Sequence, residues 1–243
     1  MSEDILVRHR ATWQQKPILQ ILYTDWYREM VTHLIPGPTL ELGGGSGNLK
    51  EFAPDVICTD LVKAPWLDAV ADGQALPFAN GSLANLVLFD VLHHLENVRL
   101  FFDEAVRVLR AGGRIVLMDP YISWVSWPVY RFLHPEPVDL SQDPFQVRSP
   151  DPARRPFDAN QAVATLLFER MFDRFQRLYP HFRRLVHRRL AFFAYPLSGG
   201  FEHSSMLPAF LVRPLLRLER VLQPLDRVLA FRLLVVLEKR TFQ

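Results

Sequence analysis

Residues 39–48 read Thr-Leu-Glu-Leu-Gly-Gly-Gly-Ser-Gly-Asn, a short apolar strand running into a glycine-dense turn. No other stretch restricts the fold so strongly. Glycine reaches positive φ without a Cβ penalty and lets backbone come close to a ligand. Such a turn belongs at the carboxyl end of a parallel strand, where open α/β sheets bind nucleotide-type cofactors. Gly43, Gly45 and Gly47 are the expected contact points, with Gly44 between them and Glu41 at the end of the strand. A dinucleotide turn, spaced G-x-G-x-x-G, opens a full helix that faces a pyrophosphate. Here the sixth position from Gly43 is Asn48 and from Gly45 is Lys50. Only about two turns of helix fit before Pro54, so the spacing argues against a dinucleotide site.

The next segments arrive in a consistent order. Val56–Thr59 reads as a second strand ending in Asp60, where an acidic group accepts hydrogen bonds from both ribose hydroxyls of an adenosine; Leu61 follows. Then come Ala71-Asp72-Gly73-Gln74-Ala75-Leu76-Pro77-Phe78 and the apolar run 85–89, typical of a buried parallel strand. Asp90-Val91-Leu92-His93-His94-Leu95 follows that run. Apolar residues at 101, 102, 105, 106 and 109 predict a helix, Gly112-Gly113 its stop, and 115–118 a further strand.

With these residues in this order, the first half of the chain resembles the class I S-adenosylmethionine (SAM)-dependent methyltransferases of the Methyltransf_11-like kind. Residues 41–47 stand as E-x-G-x-G-x-G, residues 71–78 as A-D-x-x-x-L-P-F, and residues 90–95 as the segment after strand four. The resemblance implies an α/β Rossmann-like methyltransferase fold: a mostly parallel seven-stranded sheet with an antiparallel last strand and a helical, proline-rich insertion. It implies SAM as cofactor, with S-adenosylhomocysteine as product. The residues it assigns to that cofactor are Glu41, Gly43, Gly44, Gly45, Gly47, Asp60, Leu61, Asp72, Gly73 and Asp90. In such proteins the segment before the glycine turn folds across the cofactor, which gives that role to Tyr23 or Tyr27 within a helix over 17–34. Two departures stand out: Lys63-Ala64-Pro65-Trp66-Leu67 replaces a long second helix, because Pro65 disfavours helix entry at Ala64, and the first helix is clipped. Trp66 is expected in the core.

The second half resembles a bacterial methyltransferase subgroup that occurs beside polysaccharide-assembly genes. The residues carrying this are His134-Pro135-Glu136-Pro137, Asn160 with Ala162, Leu197-Ser198-Gly199-Gly200 and Val236-Leu237-Glu238-Lys239. It implies a sugar or lipid-linked acceptor. Charge is distributed unevenly: residues 1–120 hold 10 Lys plus Arg against 15 Asp plus Glu, and residues 121–243 hold 18 against 11. The basic half is almost all arginine, which favours an anionic partner through bidentate pairing. Arg170, Arg174, Arg177, Arg184 and Arg188 fall near helical spacing and are expected on a solvated helix face. Phe168, Phe172, Phe175 and Phe182 suit its buried stripe, which argues against nucleic acid.

A single domain over 1–243 is expected, with cofactor-covering helices at 1–36, a SAM-binding core at 37–120, a substrate-facing insertion at 121–186, and final strands and helix at 187–243. Prolines 120, 128, 135, 137, 144, 150, 152 and 156 mark the insertion. Beyond it a helix is expected to about Leu178, and the apolar runs 190–197 and 229–237 are expected to form the closing antiparallel pair. The lone cysteine, Cys58, excludes an internal disulfide. With a polar start and no apolar run of membrane length, a cytoplasmic protein is expected, with contact to the inner membrane face through 207–237 as an alternative.

Methyl transfer from a sulfonium needs alignment above all, and an alcohol acceptor gains from a base. His94 is the leading candidate, then His93 and His134, with Glu136 and His203 behind. Sequence spacing offers no zinc or facial-triad pattern, so no metal is expected. Three classes remain: a small-molecule methyltransferase directed at oxygen, a SAM-binding scaffold without turnover, and a peripheral membrane enzyme or adaptor.

Overall fold

The computed structural model describes residues 2–149, 151, 153–155 and 157–241; prolines 150, 152 and 156 lie outside them. Two helices open the chain, α1 (Ser2–Gln15) and α2 (Pro17–Val31). Then come β1 (Thr39–Leu42), β2 (Ile57–Asp60), β3 (Ala69–Val70), β4 (Leu83–Phe89), α3 (Val98–Val108) and β5 (Leu109–Pro120). The remaining elements are α4 (Ser126–Leu133), α5 (Val163–Thr165), α6 (Phe172–Leu178), β6 (Phe182–Leu190), α7 (Ala194–Ser198), α8 (Ala209–Val221), α9 (Asp226–Leu229) and β7 (Arg232–Lys239). The strands form one seven-stranded sheet in the order β3-β2-β1-β4-β5-β7-β6. The first five run parallel, and β7 lies antiparallel to both β5 and β6.

Period-two patterning sets the two faces of the sheet. On β4, Leu86 and Leu88 face one cluster while Val87 and Phe89 face the other; β5 repeats this with Ile115 and Leu117 against Val116 and Met118. Every residue of β4 is buried, as both faces are covered by helices. α3 seals one face with Phe101, Phe102, Ala105 and Val108, and α2 seals the other with Leu19, Leu22, Trp26 and Met30.

The expected helix to Leu178 is a short α5, a π-turn over Leu166–Arg170 and α6, broken at Met171. The closing strand pair requires a correction. The apolar run 190–197 is not a strand; it leaves β6 at Leu190 and enters α7. The strand is the arginine-rich stretch 182–190, so Arg184, Arg188 and Phe182 belong to β6 and not to a helix. β6 is an edge strand, where charged side chains protect an open ladder, and this hides its alternation from hydropathy.

The terminal V-L-E-K motif is structural. Lys239 Nζ donates to the carbonyls of Val106 and Leu109 at 2.6 and 2.7 Å, closing the carboxyl end of α3. Glu238 accepts from Arg114 and Arg183.

Candidate functional site

Strand order reverses between β1 and β4, so their carboxyl ends flank the switch point where open α/β sheets bind ligands. After β1 the chain enters Gly43, Gly45 and Gly47 at φ of 63°, 49° and 76°, left-handed values that favour glycine. Each glycine has its own constraint. A Cβ on Gly43 would lie 2.3 Å from Val91 Cγ2, and one on Gly44 2.3 Å from Cys58 Sγ, whereas at Gly45 the nearest atom is 3.8 Å away. The turn is therefore tight where it meets protein and open at Gly45.

Asp60, at the end of β2, reaches into this turn. Its Oδ2 accepts from the Gly45 amide and its Oδ1 from the Val62 amide, both at 3.0 Å. Burial raises this carboxyl, opposed by those amides. Glu41 is 2% exposed, and its Oε2 accepts from Cys58 Sγ. Burial pushes Glu41 up to about 7, against that hydrogen bond, and pushes the Cys58 thiol up. Asp72 accepts from the Gln74 amide at 2.9 Å in a local turn, beside buried Gly73, and Leu61 is exposed. Trp66 does not join the core: its Nε1 donates to the Gly45 carbonyl at 2.8 Å, and Arg10 stacks on it at 4.7 Å while donating to the Ser46 carbonyl.

Asp90, directly after β4, adopts φ 57° and pairs with Arg232, the first residue of β7. Arg232 is 1% exposed. Tyr23, Trp26, Phe89 and Tyr195 surround its guanidinium at 4.3–5.9 Å. Tyr23 and Tyr27 are both buried, and both pack against Phe89.

The segment after Asp90 carries His93 and His94 into a second group. His93 Nδ1 lies 2.9 Å from Asp119 Oδ1 on β5, and its Nε2 lies 3.4 Å from Glu136 Oε2. His94 Nε2 is 3.8 Å from Glu136 Oε1, and His134 Nδ1 is 4.0 Å from Oε2. Burial pulls the His93 imidazole down, but the two carboxylates more than reverse this and leave it at about 10. Burial also raises Asp119, which by itself favours a neutral pair; with a carboxylate on each ring nitrogen, the ion pair prevails. Burial and the His93 charge pull His94 to about 4, and the three imidazoles overcome burial to hold Glu136 at about 2. Two of the four motifs of the second half, His134–Pro137 and Asn160 with Ala162, meet here. Asn160 N donates to the His93 carbonyl, Gln161 N to the Pro137 carbonyl, and Gln161 Nε2 to Glu136. His203 is exposed in the loop that Lys16 holds.

Residues 40–117 match a family described as a methyltransferase domain. A curated relative, the uncharacterized protein MJ1123 of Methanocaldococcus jannaschii, is 28% identical over 106 residues, 40% of this chain and 52% of its own; the chain spans about half the length of that relative. A solved SAM-dependent methyltransferase from Archaeoglobus fulgidus is similar at a TM-score of 0.53 and 14% identity, over 90% of this chain and 93% of that one. A chain from the complex of the Haloferax volcanii Trm112 methyltransferase activator with a methyltransferase reaches 0.51 at 12% identity, covering 96% and 98%. At these identities the likeness is one of fold.

The residues of this turn fit SAM, the cofactor that the sequence resemblance implies. Gly45 leaves room for close approach, and each Asp60 oxygen keeps a lone pair for a ribose hydroxyl. Buried Asn48 holds an amide Nδ2 without a partner beside the turn. The sequence pointed to all of these positions except Asn48. It missed Asp119, Gln161 and Arg232 as neighbours of the site. Asp119 ends an apolar strand and Arg232 begins one, a charge at a strand boundary that gives a weak signal; Gln161 sits inside the recognised Asn160–Ala162 motif.

Proposed function

We propose that the chain is a SAM-dependent methyltransferase acting on the oxygen of a small-molecule, sugar or lipid-linked acceptor. The observation that carries this reading is the contact between the glycine turn and the post-β4 segment. Val91 fills the space beside Gly43, two residues before His93, so the cofactor turn and the imidazole–carboxylate group share one end of the sheet. When bound, SAM supplies a methyl group on a cationic sulfonium; the S–C bond breaks as the O–C bond forms, and the acceptor proton leaves to solvent. In this reading the chain's own groups bind and align. Asp60 and the turn amides hold the adenosine, Glu41 faces the cationic methionine end, and Asp72 the adenine. His94, His134 and Glu136 face the acceptor and ease loss of its proton, and the buried His93 holds Glu136 in place. Calorimetry with SAM and S-adenosylhomocysteine tests this: binding lost in Asp60→Ala supports it, and no binding of either compound by the folded protein overturns it.

An acceptor or partner at an anionic membrane is a second reading, favoured by α8. Phe210, Pro214, Leu218 and Val221 recur at helical spacing on its exposed side, with Phe210 and Val221 at 76% and 75% exposure. Exposed Arg213, Arg217 and Arg220 flank this stripe, and the helix's one acid, Glu219, is buried, accepting from the Phe192, Phe193 and Ala194 amides. α4 adds exposed Trp127, Phe132 and Leu133. No described helix is long and apolar enough to cross a membrane, whereas apolar residues flanked by arginine suit an interfacial helix. Sedimentation with phosphatidylglycerol vesicles, lost in Leu218→Glu/Val221→Glu, supports docking; no sedimentation at low salt overturns it.

A further inference from the structure

We propose that His93, His94 and Glu136 form a binding site for one divalent cation of the zinc class, placed where the acceptor is expected. The metal's role in turnover rests on the methyltransferase reading, but its binding does not.

His93, His94 and Glu136 each offer an atom within 4.8 Å of the others. Metal–nitrogen and metal–oxygen bonds of about 2.0–2.1 Å at tetrahedral angles put neighbouring donors about 3.4 Å apart. The His93 Nε2–Glu136 Oε2 separation is 3.4 Å and the His94 Nε2–Glu136 Oε1 separation is 3.8 Å, so the carboxylate stands near ligand spacing from both imidazoles. Two imidazoles with one carboxylate are the protein ligands of a catalytic zinc site, which keeps a further position open.

The surroundings are built as well. His93 turns its other nitrogen, Nδ1, to the buried Asp119 carboxylate at 2.9 Å. A carboxylate on the far side of a ligating histidine fixes the ring so that Nε2 points to the metal, and the cation takes the place of the Nε2 proton, which leaves to solvent. Gln161 holds Glu136, and Asn160 holds the His93 carbonyl, so three separate chain segments fix the donors. His93 is buried, while the side chains of His94 and Glu136 are 19% and 23% exposed. One side of the group is thus open to an incoming ligand. Asp90, within 4.8 Å of His93 and Asp119 at its ligand atom, joins this group to the cofactor side. A cation here polarises an acceptor hydroxyl and makes its proton easier to lose. The sequence hid the set because His93 and His94 are adjacent and Glu136 lies more than 40 residues further on.

The test uses tag-free, full-length protein freed of metal with a chelator, then titrated with Co²⁺ and followed by its visible ligand-field absorption. One equivalent is expected to bind, to give a low-symmetry spectrum and to be displaced by Zn²⁺. His94→Ala and Glu136→Gln are expected to lose the spectrum, and Asp119→Asn to weaken binding by about 10- to 100-fold. Circular dichroism and SAM calorimetry on the same samples separate the outcomes. No stoichiometric Co²⁺ or Zn²⁺ binding by folded, SAM-binding wild type overturns the metal site and leaves the methyltransferase reading standing. Co²⁺ binding without any SAM binding does the reverse. A spectrum unchanged in both His94→Ala and Glu136→Gln also overturns the site.

Discussion

Replacing Glu41 with glutamine should remove one pH-dependent component of stability, and the structure fixes its sign and size. Glu41 is buried beside the glycine turn and its carboxyl is raised from 4.5 to about 7. A raised carboxyl leaves stability undiminished below 4.5, where both folded and unfolded chains are protonated. Between 4.5 and about 7 the unfolded chain gives up its proton more readily, so stability falls as pH rises, and above 7 the loss is complete. At 1.36 kcal/mol per tenfold change in acidity, the whole loss is about 3 kcal/mol. The substituted glutamine keeps a carbonyl to accept from Cys58, so packing is retained while the ionisation is lost. Urea unfolding of both proteins between pH 5 and 8 should show the wild type losing about 2–3 kcal/mol relative to Glu41→Gln. Parallel curves would refute the reasoning, because the Asp, Glu and His groups common to both proteins cancel in the difference. A second measurement follows from the same carboxyl. SAM binding at pH 7 should release about half a proton, read from calorimetry in buffers of differing ionisation heat, and Glu41→Gln should release less.

Other substitutions have directions set by the same geometry. Gly43→Ala combines a left-handed φ with a Cβ 2.3 Å from Val91, and thermal melts should show a loss of about 2–4 kcal/mol together with weaker SAM binding. At the Asp90–Arg232 pair the two single changes should differ. Asp90→Asn leaves a guanidinium of 1% exposure unpaired and should cost about 3–5 kcal/mol in urea unfolding. Arg232→Met refills the aromatic cage and leaves a partly exposed carboxylate, so it should cost less. Lys239→Met uncaps the carbonyls of Val106 and Leu109, with an expected loss of about 1–2 kcal/mol and faster amide exchange at the end of α3.

The cofactor half of the molecule was legible in sequence because its signals are local. A glycine turn, an acid at a strand end and a buried apolar strand each declare themselves within ten residues, and their order supplied the topology through β5. The imidazole–carboxylate group depends on contacts between distant segments. Asp119, Glu136 and Gln161 gain meaning only when β5, the loop after α4 and the segment before α5 meet at His93. β6 was misplaced for a different reason. An edge strand under arginine side chains has the spacing of a helix face when half of its residues are charged, and the neighbouring apolar run 190–197 imitated a strand more closely than the strand itself did.

β7 lies between β5 and β6, so β5 waits for its second neighbour through the synthesis of more than a hundred residues. Arg114 pairs with Glu238 across that gap. A ribosome-bound chain can assemble β1 to β5 early, but one flank of β5 stays open until residues 232–239 emerge. Long-range pairing of this kind slows folding and leaves an unpaired edge open to aggregation in the interval. The same eight residues deliver Arg232 to Asp90 and Lys239 to the end of α3, so closing the sheet and forming the Asp90–Arg232 pair are one event. A nascent chain arrested before residue 232 is expected to bind holding chaperones and to bind SAM poorly, and release past residue 239 should reverse both together.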